Sequence, residues 1–421
     1  SIKTGTFTAV NGEGYFVNTS GGVSVANLPA GSAGAIVSFA DYTSSFASNS
    51  FTITPNGSDK IGGVAQSVPL ITDGQSVTLV FVDSTEGWVT VNDSSENIFK
   101  NEFIQATGGT VTQCGNDKIH TFTGPGDFTV SQVHPCAANN LVSYVVVAGG
   151  GSGGAGLSSG GGGAGGFREV KSPVTPYTAS PLDGYSSSPN RITVTATTFP
   201  IAVGGGGATL PGPSNTTGNT GNVSTFSTIT SAGGGGGGKY GGPAASPTMP
   251  APIVTDAKGG SGGSGGGGGS SCSGSAPLFA LACTQGSGNT PPTSPSQGNN
   301  GGKGSNAYYY TSGGGGGAGA VGNNAAGPGA TAPQGSGGPG GNGVATEITG
   351  SSVTRGGGGG GSGFASVATG GTGGGGNAAL HSPSGTAAVA GTANTGSGGG
   401  GGANTPKVGA AGGSGIVIIR Y

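Results

Sequence analysis

Histidine and cysteine are the residues of this sequence best suited to metal binding or catalysis, but their spacing matches no known metal-binding pattern. The three histidines stand far apart, at His120, His134 and His381. None lies at a metal-ligand spacing from another histidine, a cysteine or a carboxylate. We therefore expect that the protein holds no metal ion and no cofactor.

Carboxylates are equally isolated in the second part of the chain, which contains Glu169, Asp183, Asp256 and Glu347. A pair of the glycosidase kind could assemble from distant residues, but no spacing in the sequence supports one. Matches to Gly-x-Gly-x-x-Gly are trivial in a chain with 102 glycines, and none has a strand–turn–helix context. We expect that the protein is not an enzyme and binds no dinucleotide.

The four cysteines form two local pairs, and the first pair allows a geometric prediction. Residues 118–123 and 128–131 read as two strands around the turn Gly-Pro-Gly-Asp. The register that opposes Phe122 to Phe128 also opposes Cys114 to Cys136. This predicts a disulfide and an oxidising destination, with two buried free thiols as the alternative. Cys272 and Cys283 could close a Gly/Ser-rich loop in the same way.

Aromatic side chains between glycine segments are the candidate binding residues. Tyr308, Tyr309 and Tyr310 are consecutive and offer rigid amphipathic area with little entropy to lose. Packing against a neighbouring subunit or over the glycine segments explains them equally well. Weaker candidates of the same kind are Tyr177, Tyr185, Tyr240 and Phe279. Asn and Thr in 211–222 and 287–300 could bind sugar hydroxyls, although ordinary loop positions are the favoured interpretation.

Residues 1–100 are expected to form a small β-sandwich or barrel. Short β-branched or aromatic segments recur at intervals of about ten residues and are separated by turn residues. Phe51 and Ile53 alternate with polar residues, as do Val77, Leu79 and Phe81. Residues 101–147 are expected to be a β-hairpin connector. No segment has a sustained helical period.

Residues 148–421 are dominated by glycine. Only 17 of the 102 glycines precede residue 148, so 102 − 17 = 85 follow it. They occur in uninterrupted series such as 233–238 and 356–361, which excludes the strict Gly-X-Y period of collagen. We expect packed polyglycine II helices, in which each backbone group bonds to a neighbouring helix. A glycine-tolerant β-structure and a flexible linker are the alternatives.

Two apolar segments bracket this glycine-rich domain. It opens with Tyr144–Val147 and closes with Ile416–Ile419, both continuous apolar strands of the fully buried type. We expect them to pair or pack together. The longest apolar stretch, residues 141–148, is far shorter than the roughly 20 residues of a membrane span, so no membrane insertion is expected.

Charge separates the two parts of the chain. Residues 1–147 hold four basic and eleven acidic residues, a net of −7, and the remainder holds nine and four, a net of +5. The basic residues are scattered singly along the sequence, so no nucleic-acid binding is expected.

Several motifs resemble one family. The segment YVVVAGGGSGGAGLSSGGGGAGGF (144–167) and the terminal GGSGIVIIRY resemble the opening and closing motifs of glycine-rich domains in tail-fibre-like proteins of marine phages. KIHTFTGPGDFTV is similar to the lead-in of that family, and GYFVNTSGGVSV to a β-module of cyanophage structural proteins. More distantly, the domain resembles the glycine-rich tip adhesins of T-even-like phages.

The resemblance implies a virion protein, a tail fibre or related appendage, assembled in the host cytoplasm. It implies that loops between the glycine segments recognise a host glycan or outer-membrane protein, and that the chain forms a homotrimer. We expect the acidic N-terminal part to contact other virion proteins. The alternatives are a head or neck fibre without receptor specificity and an extracellular filament subunit.

Overall fold

A computed structural model describes two compact units, Ser1–Glu102 and Phe103–Tyr421. Within them the structure describes residues 1–93, 103–134, 136–209, 215–241, 257–270, 283–305, 310–326, 335–364, 366–381, 385–403 and 408–421. Across these ranges the fold is all-β with essentially no α-helix, as predicted. The described part contains no helix of the length and apolarity that a membrane span requires.

The first unit contains two facing sheets, with strands at β1 Ile2–Lys3, β2 Thr6–Thr8, β3 Gly14–Val17, β4 Ser24–Asn27, β5 Ile36–Asp41, β6 Phe51–Thr54, β7 Val68–Leu70, β8 Ser76–Asp83 and β9 Gly87–Asp93. The sheet orders are β1-β3-β5-β8-β9 and β2-β4-β6-β7. Phe39 of the first sheet and Phe51 of the second meet in the shared core, with ring centroids 5.2 Å apart. The alternation predicted for Phe51–Ile53 and Val77–Phe81 therefore faces this core.

The second unit contains β10 Gln105–Thr107, β11 Thr110–Cys114, β12 Asp117–Phe122, β13 Gly126–Gln132, β14 Ser143–Val147, β15 Phe167–Val170, β16 Thr198–Ala202, β17 Ser224–Phe226, β18 Ile229–Ser231, β19 Val344–Thr346, β20 Val353–Arg355 and β21 Ile416–Arg420. Short 3₁₀ turns cover Ala137–Asn140 and Ser188–Asn190. Two five-stranded sheets have the orders β10-β13-β16-β17-β18 and β11-β12-β21-β14-β15, and β19 pairs with β20.

The predicted hairpin of residues 118–131 is wrong. Strand β12 pairs with β11 and β21, whereas β13 pairs with β10 and β16 in the other sheet. The Gly-Pro-Gly turn therefore carries the chain from one sheet to the other. Phe122 and Phe128 lie in the same core between these sheets, and this produces the apolar pattern of a hairpin without its pairing.

The disulfide predicted from that hairpin is wrong as well. In the tight β11–β12 hairpin, Cys114 lies opposite Asp117. Cys136 comes after strand β13, which belongs to the other sheet. Both are free thiols, Cys114 half-buried and Cys136 exposed.

The predicted pairing of the two bracketing apolar segments is confirmed. Strand β21 lies between β12 and β14, and its antiparallel register opposes Tyr144 to Ile419 and Val147 to Ile416. Every residue of both strands is buried. The last strand of the chain thus occupies the centre of a sheet whose other strands come from residues 110–170.

Arg420 anchors this last strand from inside the protein. Its Nε donates to Asp117 Oδ2 over 2.7 Å, and its guanidinium lies 5.2 Å from the ring centroid of Tyr177. Nη1 also donates to the carbonyl oxygen of Ile348 at 3.2 Å. The arginine side chain is 2 % exposed, so its charge depends on these partners.

The glycine segments that connect the strands along the chain form a lattice, by which we mean a bundle of hydrogen-bonded segments. Its described residues are 148–166, 204–207, 216–222, 232–239, 257–270, 283–288, 298–305, 311–326, 335–343, 356–363, 368–379, 385–390, 397–403 and 408–415. Within 149–155, successive N–H groups donate in rotation to three neighbouring segments. Residues 149, 152 and 155 donate to residues 222, 219 and 216 of the first neighbour. Residues 150 and 153 donate to 413 and 410 of the second, and residues 151 and 154 donate to 163 and 160 of the third. A β-strand would alternate between two directions. Rotation every third residue is the geometry of polyglycine II.

The segment 160–166, which is one of these three neighbours, shows the same rotation. Its N–H groups donate alternately to 232–238, 313–316 and 396–399, with partners Gly238, Gly313, Gly399, Gly235, Gly316, Gly396 and Ala232 in chain order. Both segments are therefore bonded on three sides, so their buried backbone groups find partners without a hydrophobic core.

Glycine is required where the segments approach most closely. A Cβ at Gly161 would overlap the carbonyl oxygen of Gly359, and one at Gly162 that of Gly151. Ser152 and Ala164 are fully buried within the same segments, so the lattice has room for a small side chain at some positions. The interruptions in the glycine series are thus part of the packing.

Disrupting Asp117 should destabilise the second unit. Asp117→Asn leaves the buried Arg420 guanidinium without a charged partner, and we expect a loss of about 3 kcal/mol in the free energy of unfolding. The double variant Asp117→Leu/Arg420→Met should recover most of this loss. Denaturant unfolding measures both, with the exposed Asp127→Asn as the matched control. Equal stability of Asp117→Asn and the control would contradict the anchoring role.

Adding one methyl group to the lattice should be costly only where segments touch. We expect Gly161→Ala to lower stability by about 1–3 kcal/mol or more, because the new Cβ must displace the backbone of residue 359. Gly205→Ala is the matched control, since its Cβ would meet only the Asn222 side chain at 3.7 Å. Calorimetry measures the two midpoints. Equal midpoints would refute the close-packed lattice.

Candidate functional site

The lattice has two ends, which we name by what they contain. The base end adjoins the strands, at residues such as Ala148, Gly166 and Gly415. The far end is reached after segment 149–157 and contains Leu157, Ser158 and Ser159. With a rise of about 3.1 Å per residue, the seven residues 149–155 span roughly 22 Å.

Most excursions from the lattice leave at the far end. Ser159 N–H donates to Gly402 at 3.2 Å, Ser270 to Ser158 at 3.3 Å, and Ser312 to Ser362 at 3.0 Å. These contacts place the described residues on either side of 242–256, 271–282, 306–309, 382–384 and 404–407 at this end. The turns at 171–197, 289–297, 344–355 and 391–396 belong instead to the base end.

Four aromatic rings from separate excursions meet at the far end, and we call them the aromatic cluster: Tyr240, Tyr310, Phe364 and His381. Tyr310 is central, with centroid distances of 5.9 Å to Tyr240, 5.9 Å to Phe364 and 5.6 Å to His381. Phe364 and His381 stack at 3.9 Å. Tyr240 is buried and the other three rings are half-buried. The cluster thus joins excursions that lie far apart in sequence.

Hydroxyl groups fix the position of Tyr310. Ser158, Ser312 and Ser362 form a buried triangle with Oγ–Oγ distances of 2.9, 3.1 and 3.2 Å. Ser158 Oγ also donates to the carbonyl oxygen of Tyr310 at 2.6 Å. Tyr310 has φ of 46°, a left-handed conformation that costs free energy in a bulky residue. The serine triangle supplies bonds that hold it there.

His381 is a neutral member of the cluster at pH 7. Its Nδ1 lies 3.0 Å from the carbonyl oxygen of Leu157, which can only accept, so Nδ1 carries the proton. Burial lowers the pKa of His381, and the Leu157 bond opposes this in part. The second ring nitrogen is therefore unprotonated at neutral pH, and the ring stacks without a charge.

The predicted binding residues divide between the two ends. Tyr310 and Tyr240 come together in the aromatic cluster. Tyr177 lies at the base beneath Arg420, and Tyr185 lies there with its ring centroid 4.4 Å from the Arg191 guanidinium. Tyr308, Tyr309 and Phe279 fall outside the described residues. Cys283 is disulfide-bonded, and its predicted partner Cys272 also falls outside them.

Sequence reasoning missed Phe364 and His381. A usable signal existed for Phe364, which directly follows the glycine series 356–363, just as Tyr240 follows 233–238 and Tyr310 precedes 313–317. An aromatic residue at the far end of a glycine segment is thus a common feature of three excursions. His381 follows Leu380 and has no comparable signal.

Charged groups at the base serve packing. Burial raises the pKa of Glu169, whose carboxylate accepts from the Ser180 N–H at 2.9 Å and from the Thr346 hydroxyl. Burial lowers the pKa of Arg355 nearby. Within the part of the chain that the structure describes, no three His, Cys, Asp or Glu residues are grouped as metal ligands.

Acidification should weaken the far end through His381. Because its folded pKa is lowered below the ordinary value of about 6.5, the unfolded chain takes up this proton more readily. Stability present at pH 7 is therefore lost as the pH falls below about 6.5. His381→Phe keeps the stacking and cannot protonate, so its stability should fall less between pH 7 and 5. Equal losses in both proteins, measured by calorimetry, would contradict this.

Comparison with known proteins gives one family. A model of a glycine-rich domain matches residues 121–421, which begin inside β12 and include every glycine segment of the lattice. A search of curated proteins finds no match. Because the matched residues cover more than two thirds of the chain, this protein belongs to the glycine-rich domain family.

Proposed function

We propose that this protein is a structural component of a bacteriophage particle, a tail fibre or related appendage, whose glycine-rich domain binds the host surface. The observation that carries the proposal is the collection of the excursions at the far end of a rigid lattice. Binding residues commonly stand on loops that a rigid scaffold positions. The aromatic cluster supplies large side chains at described residues where excursions leave the lattice.

The lattice suits a protein whose loops must vary. Its stability comes from backbone hydrogen bonds between buried segments, so loops can differ in length and composition without altering a hydrophobic core. The motifs that resemble phage tail-fibre-like proteins include both segments that become β14 and β21, which close the domain. This agreement supports a virion protein assembled in the host cytoplasm.

The first unit has a surface suited to contact with other virion proteins. On the outer face of its five-stranded sheet, Phe16 and Tyr42 are 54 % and 53 % exposed, and their ring centroids lie 6.3 Å apart. Ile36 is exposed on the same sheet. Apolar side chains of this size favour a protein partner. We propose that this face contributes to attachment, and that the chain assembles as a homotrimer.

Loss of the aromatic cluster should weaken attachment to cells. We expect the fluorescently labelled full chain to bind a susceptible strain in a panel of marine cyanobacteria. Tyr310→Ser/Phe364→Ser should reduce binding at least about tenfold, because both rings pack in the cluster that orders the far end. Val174→Ser/Val321→Ser is the control, since these exposed apolar residues lie at the base.

Two results would decide against the proposal. If the folded wild-type chain binds no strain of the panel, receptor recognition falls and a non-receptor appendage becomes the better interpretation. If the two double variants lose binding equally, the far end is not the binding surface. Calorimetry of each variant separates lost contacts from lost folding.

A further inference from the structure

Strand β11 (Thr110–Cys114) forms an edge of the sheet β11-β12-β21-β14-β15. The two-residue turn that follows it makes Cys114 and Asp117 the closing hydrogen-bonded pair of the hairpin. Bonding positions alternate along an antiparallel strand, so Val111 and Gln113 direct their N–H and C=O groups away from β12. Within the part of the chain that the structure describes, these groups have no hydrogen-bond partner.

The bonds of strand β12 support this direction. Lys118 lies opposite Gln113, and it exchanges both backbone hydrogen bonds with Tyr421, at 2.8 and 3.1 Å, on the other side of β12. Its N–H group is therefore not available to Gln113. The free edge is also accessible, because every residue of β11 except Cys114 is exposed.

Other edge strands are protected against pairing. At β15, Phe167 N–H donates to the carbonyl oxygen of Gln297 at 2.8 Å, and the carbonyl oxygen of Glu169 accepts from Gly184 at 2.9 Å. Strands β9 and β10 contain register shifts, β7 contains Pro69, and β1 has only two residues. Such features keep edge strands from pairing with another chain. Strand β11 has a regular register over five residues and contains no proline and no charged residue.

The free edge of β11 is complementary to itself. When two β11 strands pair antiparallel about Thr112, Val111 of each copy lies opposite Gln113 of the other. Each of these opposed pairs exchanges both of its N–H···O=C bonds, so every free backbone group of the two edges is satisfied. Thr112 then faces Thr112 of the second copy, and threonine pairs of this kind stabilise a sheet. No like charges meet, because the strand is uncharged.

We propose that β11 is an assembly site at which two copies of this chain join by antiparallel pairing of this strand. The two sheets then form one sheet of 5 + 5 = 10 strands. The inference rests on backbone geometry and does not depend on the proposed host-binding function. Contact between identical strands requires a twofold axis, so it joins two of the proposed trimers into six chains, or two single chains into a dimer.

Sedimentation of the purified full chain tests the proposal. We expect a hexamer or a dimer that dissociates into halves as the protein is diluted. Thr112→Lys places like charges opposite each other across the axis and should weaken this association at least about tenfold. Thr123→Lys adds the same charge at an exposed residue outside the strand and should associate as the wild type does. Wild-type monomers or single trimers at every concentration, or equal association of the two variants, would overturn the proposal.

Cross-linking locates the contact. In a Cys114→Ser/Cys136→Ser background, Thr112→Cys brings two thiols together at a non-hydrogen-bonded pair, where Cα atoms lie about 4.5 Å apart, within reach of a disulfide. Oxidation should link most of these chains into covalent dimers on a non-reducing gel. Thr123→Cys in the same background should remain single chains, and calorimetry checks that both variants are folded. Linkage of both folded variants, or of neither, would refute β11 as the contact.

Discussion

Hydrogen bonding between glycine segments is the interaction on which the second unit depends. A backbone with three residues per turn presents its N–H and C=O groups in three directions, and each must find a partner when buried. Segments such as 149–155 and 160–166 find them in three neighbours each. The approach needed for these bonds leaves no space for a Cβ at Gly161 or Gly162. The high glycine content of these segments and the burial of their backbone thus follow from the same hydrogen bonds.

Glycine loses more conformational entropy on ordering than any other residue, so the lattice also needs fixed ends. The two sheets at the base supply them. Strand β14 leads into the first glycine segment and β21 follows the last, and the two pair along their whole length. The buried Asp117–Arg420 ion pair joins this closing strand to β12. The apolar core is therefore small but lies where it constrains both chain ends of the lattice.

Features that arise from one segment's own composition could be predicted from the sequence. The closing strand pair could be predicted from two continuous apolar segments. Polyglycine II could be predicted from long glycine series in which the other residues are mostly small, such as serine and alanine. Whether β12 and β13 pair with each other could not be predicted in this way. Phe122 and Phe128 face one core from two sheets, and the local pattern is the same whether or not their strands pair.

The candidate site was predictable only in part, for a related reason. Tyr310 and Tyr240 were identifiable as aromatic residues beside glycine segments, but their contact depends on which segments are neighbours. The order of segments in the lattice is set by long-range hydrogen bonds that leave no periodic trace in the sequence.

The lattice also determines where variation can occur. Inserting one residue within a glycine segment rotates every following N–H group by about 120°, away from its partner, so the bonds beyond it are lost. An insertion in an excursion at the far end changes no lattice bond and costs only the slowly growing entropy of a longer loop. A scaffold built in this way confines change in length and chemistry to its ends. The base end is occupied by sheets that close the domain, so the far end is where a binding surface can diversify at least cost in stability.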